Sequence, residues 1–286
     1  MRNHPAGREA RSAVRPRAET DGPGLIRTFL RTADGVAIDS VYEPGASGSG
    51  TSGGGASPDA PDAPDVVFVV AHGFTGDADR PHVRRVASVL ARYGAVVTFS
   101  FRGHGASGGR STLGDREVLD LDAAVARARG FGHARVVTVG FSMGGSVVLR
   151  HAALRPGSVD AVISVSSPAR WYYRGTAPMR RVHWLVTRAS GRLVGRYGLR
   201  VRIHDRDWDP VPLPPVAAVP LIAPVPLLVV HGDRDGYFPL DHPRSLAEAA
   251  GEHGELWVEP DMGHAENAAG EALLGRMARW AAARCG

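Results

Sequence analysis

The chain has 286 residues, 43% of them hydrophobic, a formal net charge of +5 and a single cysteine, Cys285. That is enough for one large α/β domain or two small ones, and it excludes a disulfide framework or a cysteine-based metal site. No apolar run approaches the roughly 20 residues of a membrane span, and the N-terminal MRNHPAGREARSAVRPRAET carries charge without an apolar core, so neither stable membrane insertion nor a secretory signal is expected and a cytoplasmic location is.

All 34 cationic residues are arginine, and they are unevenly placed. Residues 1–22 hold 5 Arg and 3 acids, a net of +2. Residues 168–225 hold 10 Arg and 3 Asp, a net of +7, so everything else sums to −4. A nucleic-acid binder usually shows a broader basic face, and none is expected here.

In chain order, residues 1–22 are polar, Arg/Pro-rich and aperiodic, which predicts a disordered tail. A hairpin follows: Leu25 to Thr32, a turn at Asp34-Gly35, then Val36 to Tyr42. Residues 44–65 are Gly/Ser-rich and then Pro/Asp-rich, a flexible connection between strands. From Val66 the pattern alternates. Val66–Ala71 and Ala95–Phe101 are apolar runs of the kind that form buried parallel strands. Between them Val83, Val86, Ala87 and Leu90 have helical spacing closed by Gly94, and Val118, Leu121, Val125 and Ala128 mark the next helix. Val136–Val139, Ala161–Val165, Leu227–Val230 and Leu256–Val258 read as further strands; Met143–Leu154, Leu246–Ala250 and Leu273–Trp280 read as helices. Repeated βα units predict an α/β fold, a mostly parallel sheet flanked by helices, over residues 23–286. Residues of about 168–225 break the rhythm and read as a small cap inserted between two strands.

The chemistry is concentrated at the ends of those strands. Gly140-Phe141-Ser142-Met143-Gly144 fits G-x-S-x-G, a strand turning sharply into a helix with the serine exposed at the turn. Glycines on either side remove collisions, and the helix N-terminus offers free N–H groups to a developing negative charge. The bland alternative is a tight turn with a serine cap. A serine hydroxyl needs a base, and the base needs an orienting carboxylate. Downstream stand a buried strand ending in Asp233 and Asp235, and then His264 in a loop before the last helix. Serine, acid, histidine is the order such an elbow requires.

With these motifs the chain resembles the α/β-hydrolase superfamily, in particular its monoacylglycerol-lipase-like and serine-aminopeptidase-like esterases, over roughly residues 25–283. The family's H-G after the first buried parallel strand is matched by His72-Gly73-Phe74, its R-G-x-G-x-S by Arg102-Gly103-His104-Gly105-Ala106-Ser107, its H-G-x-x-D by His231-Gly232-Asp233-Arg234-Asp235, and its G-H by Gly263-His264. The resemblance implies that Asp235 rather than Asp233 is the acid, and that the N–H groups of Phe74 and Met143 form the oxyanion hole. An aspartate often stands two residues before R-G-x-G; here it is Ser100. His72 and His104 read as structural, His72 as the holder of the oxyanion loop. No H-E-x-x-H or paired Cys/His spacing occurs, and no G-x-G-x-x-G opens a helix, so neither metal nor other cofactor is expected.

Within the cap, Val182, Val186, Ala189 and Leu193 fall on one helical stripe, with Arg181, Arg188, Arg192 and Arg196 on the next. The arginines read either as a solvated face or as an attractor for an anionic acyl substrate, a phosphorylated thioester carrier or a membrane surface. Trp171, Tyr172, Tyr173 and Trp184 are expected to line an apolar pocket beneath. The expected function is a serine hydrolase that cleaves a carboxylic ester of a small-molecule acyl substrate through an acyl-enzyme. The alternatives are an acyltransferase or thioesterase and, outside enzymes, a hydrolase-like binding protein. Acyl length, leaving group and oligomeric state are left open.

Overall fold

The computed structural model describes residues 24–45 and 66–285. The expected N-terminal tail and all but the first two residues of the expected flexible loop lie outside them.

Eight strands form one sheet: β1 (Ile26–Arg31), β2 (Ala37–Glu43), β3 (Val66–Ala71), β4 (Ala95–Phe99), β5 (Arg135–Phe141), β6 (Ala161–Val165), β7 (Leu227–Gly232) and β8 (Gly254–Glu259). Their order is β1-β2-β4-β3-β5-β6-β7-β8. The hairpin β1–β2 adds antiparallel to β4, and β4 to β8 are mutually parallel. Nine helices are described: α1 (Pro81–Leu90), α2 (Glu117–Gly130), α3 (Met143–Leu154), α4 (Ala177–Thr187), α5 (Ala189–Tyr197), α6 (Pro215–Ala218), α7 (Asp241–Ala250), α8 (Ala265–Ala268) and α9 (Glu271–Arg284).

The central strands are apolar throughout because both faces are covered. Alternate residues point to opposite faces. Val67, Val69 and Ala71 pack with Leu121 and Val125 of α2, Val148 of α3 and Leu246 of α7. Val66, Phe68 and Val70 pack with Val86 and Leu90 of α1 and Leu274 and Met277 of α9. Among the described residues no helix is long and apolar enough to cross a membrane.

Two local expectations are corrected. β4 ends at Phe99 rather than Phe101, because the Phe101 N–H is diverted to His72 Nε2 (3.0 Å). The supposed single stripe from Val182 to Leu193 is two helices. The chain extends at Arg188 (φ −99°, ψ 141°), so α5 folds back on α4 and the four arginines do not share one helical face. Gly191 permits the contact: a Cβ there would lie 2.4 Å from Trp184 O. Arg192 Nη1 then closes the end of α4, donating to the carbonyls of Val186 and Thr187 at 3.2 Å each.

Candidate active site

The carboxyl ends of parallel strands are where loops converge and where ligands bind in open α/β sheets. Here Ser142 follows β5, Gly73 and Phe74 follow β3, Asp235 follows β7 and His264 follows β8. The serine backbone sits at φ 51°, ψ −112°, a conformation that costs on the order of 1–3 kcal/mol and persists only when its surroundings impose it. They do impose it: a Cβ on Gly140 would lie 2.3 Å from Gly144 O, and one on Gly144 would lie 2.2 Å from Ala71 O. α3 therefore meets β5 through Gly140 and the end of β3 through Gly144 closer than any side chain allows, and Ser142 is lifted to the cavity.

Ser142 Oγ stands 2.9 Å from His264 Nε2, and His264 Nδ1 stands 2.7 Å from Asp235 Oδ2. The other carboxylate oxygen of Asp235 accepts the N–H groups of Tyr237 (2.8 Å) and Phe238 (3.1 Å). Burial works to raise the Asp235 carboxyl, but the hydrogen bond and charge of His264, with the Phe238 amide, outweigh it and hold it below the ordinary carboxylate value. It is ionised at neutral pH and can only accept, so the proton on His264 sits at Nδ1 and Nε2 is free to accept the serine proton. Asp233, the other candidate, is exposed, and the carboxylate bonded to His264 is that of Asp235. His231 Nε2 donates to Phe238 O at 2.9 Å and so braces the Asp235 turn.

The remaining motif residues hold the frame. His72 Nδ1 donates to Gly73 O (2.7 Å) while its Nε2 accepts from Phe101; burial holds its pKa well below the ordinary histidine value, so it stays neutral in that role. His104, likewise lowered by burial, donates Nδ1–H to Arg102 O at 3.0 Å. Arg102 is buried against Asp120 (2.7 Å) and Asp34 (2.8 Å). Ser100, in the place of the usual aspartate, accepts the Ala78 N–H at 3.0 Å, and a Cβ on Gly105 would lie 2.9 Å from its Oγ. A short side chain fits that crowded spot.

Phe74, Met143, Ser142 and His264 line one cavity of about 1710 Å³. Neither the Phe74 nor the Met143 N–H has an acceptor among the described residues. Trp171, Tyr172, Tyr173 and Trp184 all line the cavity too, although Tyr172 and Trp184 are about half exposed. Sequence reasoning missed Trp208, whose ring packs 5.2 Å from Trp171 and 5.6 Å from Tyr172, and Tyr237, which stacks on His264 at 4.1 Å. Tyr237 lies two residues past Asp235, and that adjacency was the available signal. Neither was marked by periodicity. His242 accepts the Ala169 N–H at 2.9 Å and anchors the start of the segment between β6 and β7; burial and nearby Arg170 push it down to about 4, so it remains an acceptor.

Residues 66–191 match the family model described as the alpha/beta hydrolase fold. The chain is 30% identical over 239 residues to a monoacylglycerol lipase of Mycolicibacterium smegmatis, covering 69% of this chain and 80% of that protein. Among solved structures it is similar in fold to an esterase of Pyrococcus furiosus (TM-score 0.69, 21% identity, 95% of this chain and 97% of that one). It is also similar to a serine hydrolase without lid from Xanthomonas campestris (TM-score 0.59, 21% identity, 92% and 95%). The chain belongs to the α/β-hydrolase family and is an esterase-like hydrolase.

Proposed function

We propose that the protein hydrolyses a carboxylic ester through an acyl-enzyme formed on Ser142. The observation that carries this reading is the hydrogen-bonded relay from Ser142 through His264 to Asp235, opening onto the cavity. Ser142 Oγ attacks the ester carbonyl carbon as its proton passes to His264 Nε2. Asp235 balances the imidazolium. The carbonyl oxygen, now negative, takes the free N–H groups of Phe74 and Met143. When the C–O bond breaks, His264 returns the proton to the departing alkoxide and the alcohol leaves. Water then repeats the sequence with His264 as base, releasing the acid and restoring the Ser142 hydroxyl.

The segment 168–225 acts as the cap. It contributes Trp171, Tyr172, Val182, Trp184, Leu185 and Trp208 to a cavity wide enough for an acyl chain and an alcohol together. The relative named monoacylglycerol lipase supports an acyl ester of glycerol as substrate class.

A fluorophosphonate probe should label Ser142, located by mass spectrometry of the digested adduct. Ser142→Ala should lower turnover of p-nitrophenyl butyrate on the order of 10⁴–10⁶-fold with an unchanged circular dichroism spectrum. Near-normal turnover in that variant would defeat the assignment.

A further inference from the structure

An amide can serve as an oxyanion donor only if its peptide plane is held still. The Phe74 amide follows Gly73, which has no side chain to pack. Two groups hold the Gly73–Phe74 peptide by its oxygen: His72 Nδ1–H donates to Gly73 O at 2.7 Å and the Gly76 N–H donates to it at 3.0 Å. In a trans peptide the N–H points opposite to the C=O, so the Phe74 N–H is turned away from both. The preceding peptide is held from a different part of the chain. The Gly73 N–H donates to Glu266 Oε1 at 2.9 Å.

Glu266 is only 4% exposed, lies two residues beyond His264 and lines the same cavity. Its own position is fixed on several sides. Arg85 of α1 donates to Glu266 O at 2.6 Å, Ser166 Oγ accepts the neighbouring Ala265 N–H at 3.0 Å, and His82 Nε2 lies 3.9 Å from Oε1. The fit at Gly73 is close: a Cβ there would lie 3.1 Å from each carboxylate oxygen.

We propose that Glu266 is a positioning residue of the reaction: its carboxylate ties the loop bearing His264 to the loop bearing the Phe74 amide, so base and oxyanion donor keep their spacing while charge develops. The proposal rests on the serine mechanism above. Glu266 acts through placement, because its charge has the wrong sign to stabilise an oxyanion. A carboxylate suits the task because it only accepts, and a charge-assisted bond to an amide is roughly twice as strong as a neutral one.

Three variants of the full chain test this with p-nitrophenyl butyrate as substrate. Glu266→Ala should lower kcat on the order of 10–100-fold, less than deleting an oxyanion donor outright, with KM nearly unchanged. Glu266→Gln keeps an acceptor at the same reach and should recover most of the loss. Glu266→Asp keeps the charge but retracts the acceptor by one methylene, and should fall below Glu266→Gln. That ranking decides the matter even if the alanine variant folds poorly. Unchanged kcat in Glu266→Ala with only a lower Tm, a loss confined to KM, or Glu266→Asp matching or exceeding Glu266→Gln would each overturn the proposal. Fluorophosphonate labelling of the unmodified protein separates the two levels. No labelling at Ser142 removes the serine mechanism and this proposal with it, whereas labelling together with a normal Glu266→Ala kcat removes the role of Glu266 alone.

Discussion

The carboxyl edge of the sheet and the 168–225 segment face each other across one cavity, and they are held in different ways. At the sheet edge Asp235 is bound by His264 and two amides, and Gly73 O by His72 and Gly76. Beneath them lie two apolar layers covered on both faces of the sheet. The segment opposite has a small cluster of its own, Leu185, Val201 and Ile203, and leaves Trp184, Leu193, Val194 and Tyr197 about half exposed or more. Nine arginines and no acid fall between residues 170 and 204. Chemistry that depends on sub-ångström placement needs a side bonded as densely as the sheet edge. The more exposed side is where the proposed mechanism puts substrate choice.

The largest effect that tests this contrast is at the sheet edge. Asp235→Asn should lower kcat about 10⁴-fold by leaving His264 in the wrong tautomer, as in other Ser-His-Asp sites. Asp233→Asn, on the exposed neighbour, should change it little. A greater loss in the Asp233 variant, with both proteins folded, would mean that the acid is misassigned.

The two sides also differ in how far the sequence exposes them. α3 and β6 have the bounds read from the sequence, Met143–Leu154 and Ala161–Val165. A strand buried on both faces writes its environment into a continuous apolar run, and β6 is buried at all of its residues. The elbow, Asp235 and His264 were legible through their order along the chain after successive strands, since a serine at a tight turn or an aspartate past a strand, such as Asp233, carries no such signal alone. The break at Arg188 left no such trace. No proline or glycine stands there, and the 3.6-residue spacing of Val182, Val186, Ala189 and Leu193 runs straight through it. The turn is made by tertiary contact of Gly191 with α4, and a spacing argument cannot see contact. Glu266 was hidden for the same reason: its partner is 193 residues away.

A smaller effect tests the independence of the segment. Gly191→Val forces a side chain against Trp184 O and Leu185, an overpacking that costs typically about 1–3 kcal/mol. Because Leu185, Val201 and Ile203 form a cluster apart from the two sheet layers, the strain should open that segment locally. Limited proteolysis should cut between residues 168 and 225 several-fold faster, with little change in the main thermal transition. A large drop in Tm with no added cleavage would show that the segment and the sheet unfold as one unit.

The smallest effect concerns the arginines. Arg181 and Arg192 line the cavity, whereas Arg188 and Arg196 do not. Among the described residues none of the four is in an ion pair. Their field should draw an anionic ester towards the site and leave a neutral one indifferent. Screening shortens from about 10 Å at 0.1 M salt to about 3 Å at 1 M, so kcat/KM for an anionic ester should fall severalfold over that range while that for a neutral ester of equal length stays nearly flat. The structure sharpens which residue matters. Arg192 also closes α4, so its replacement would disturb the fold of the segment; Arg181 has no such tie. Arg181→Glu should therefore remove most of the salt dependence, and Arg188→Glu, outside the cavity, should remove less. Equal salt responses for charged and neutral esters in the unmodified protein would reduce these arginines to solvated surface charge, and this side of the cavity would then select by shape alone.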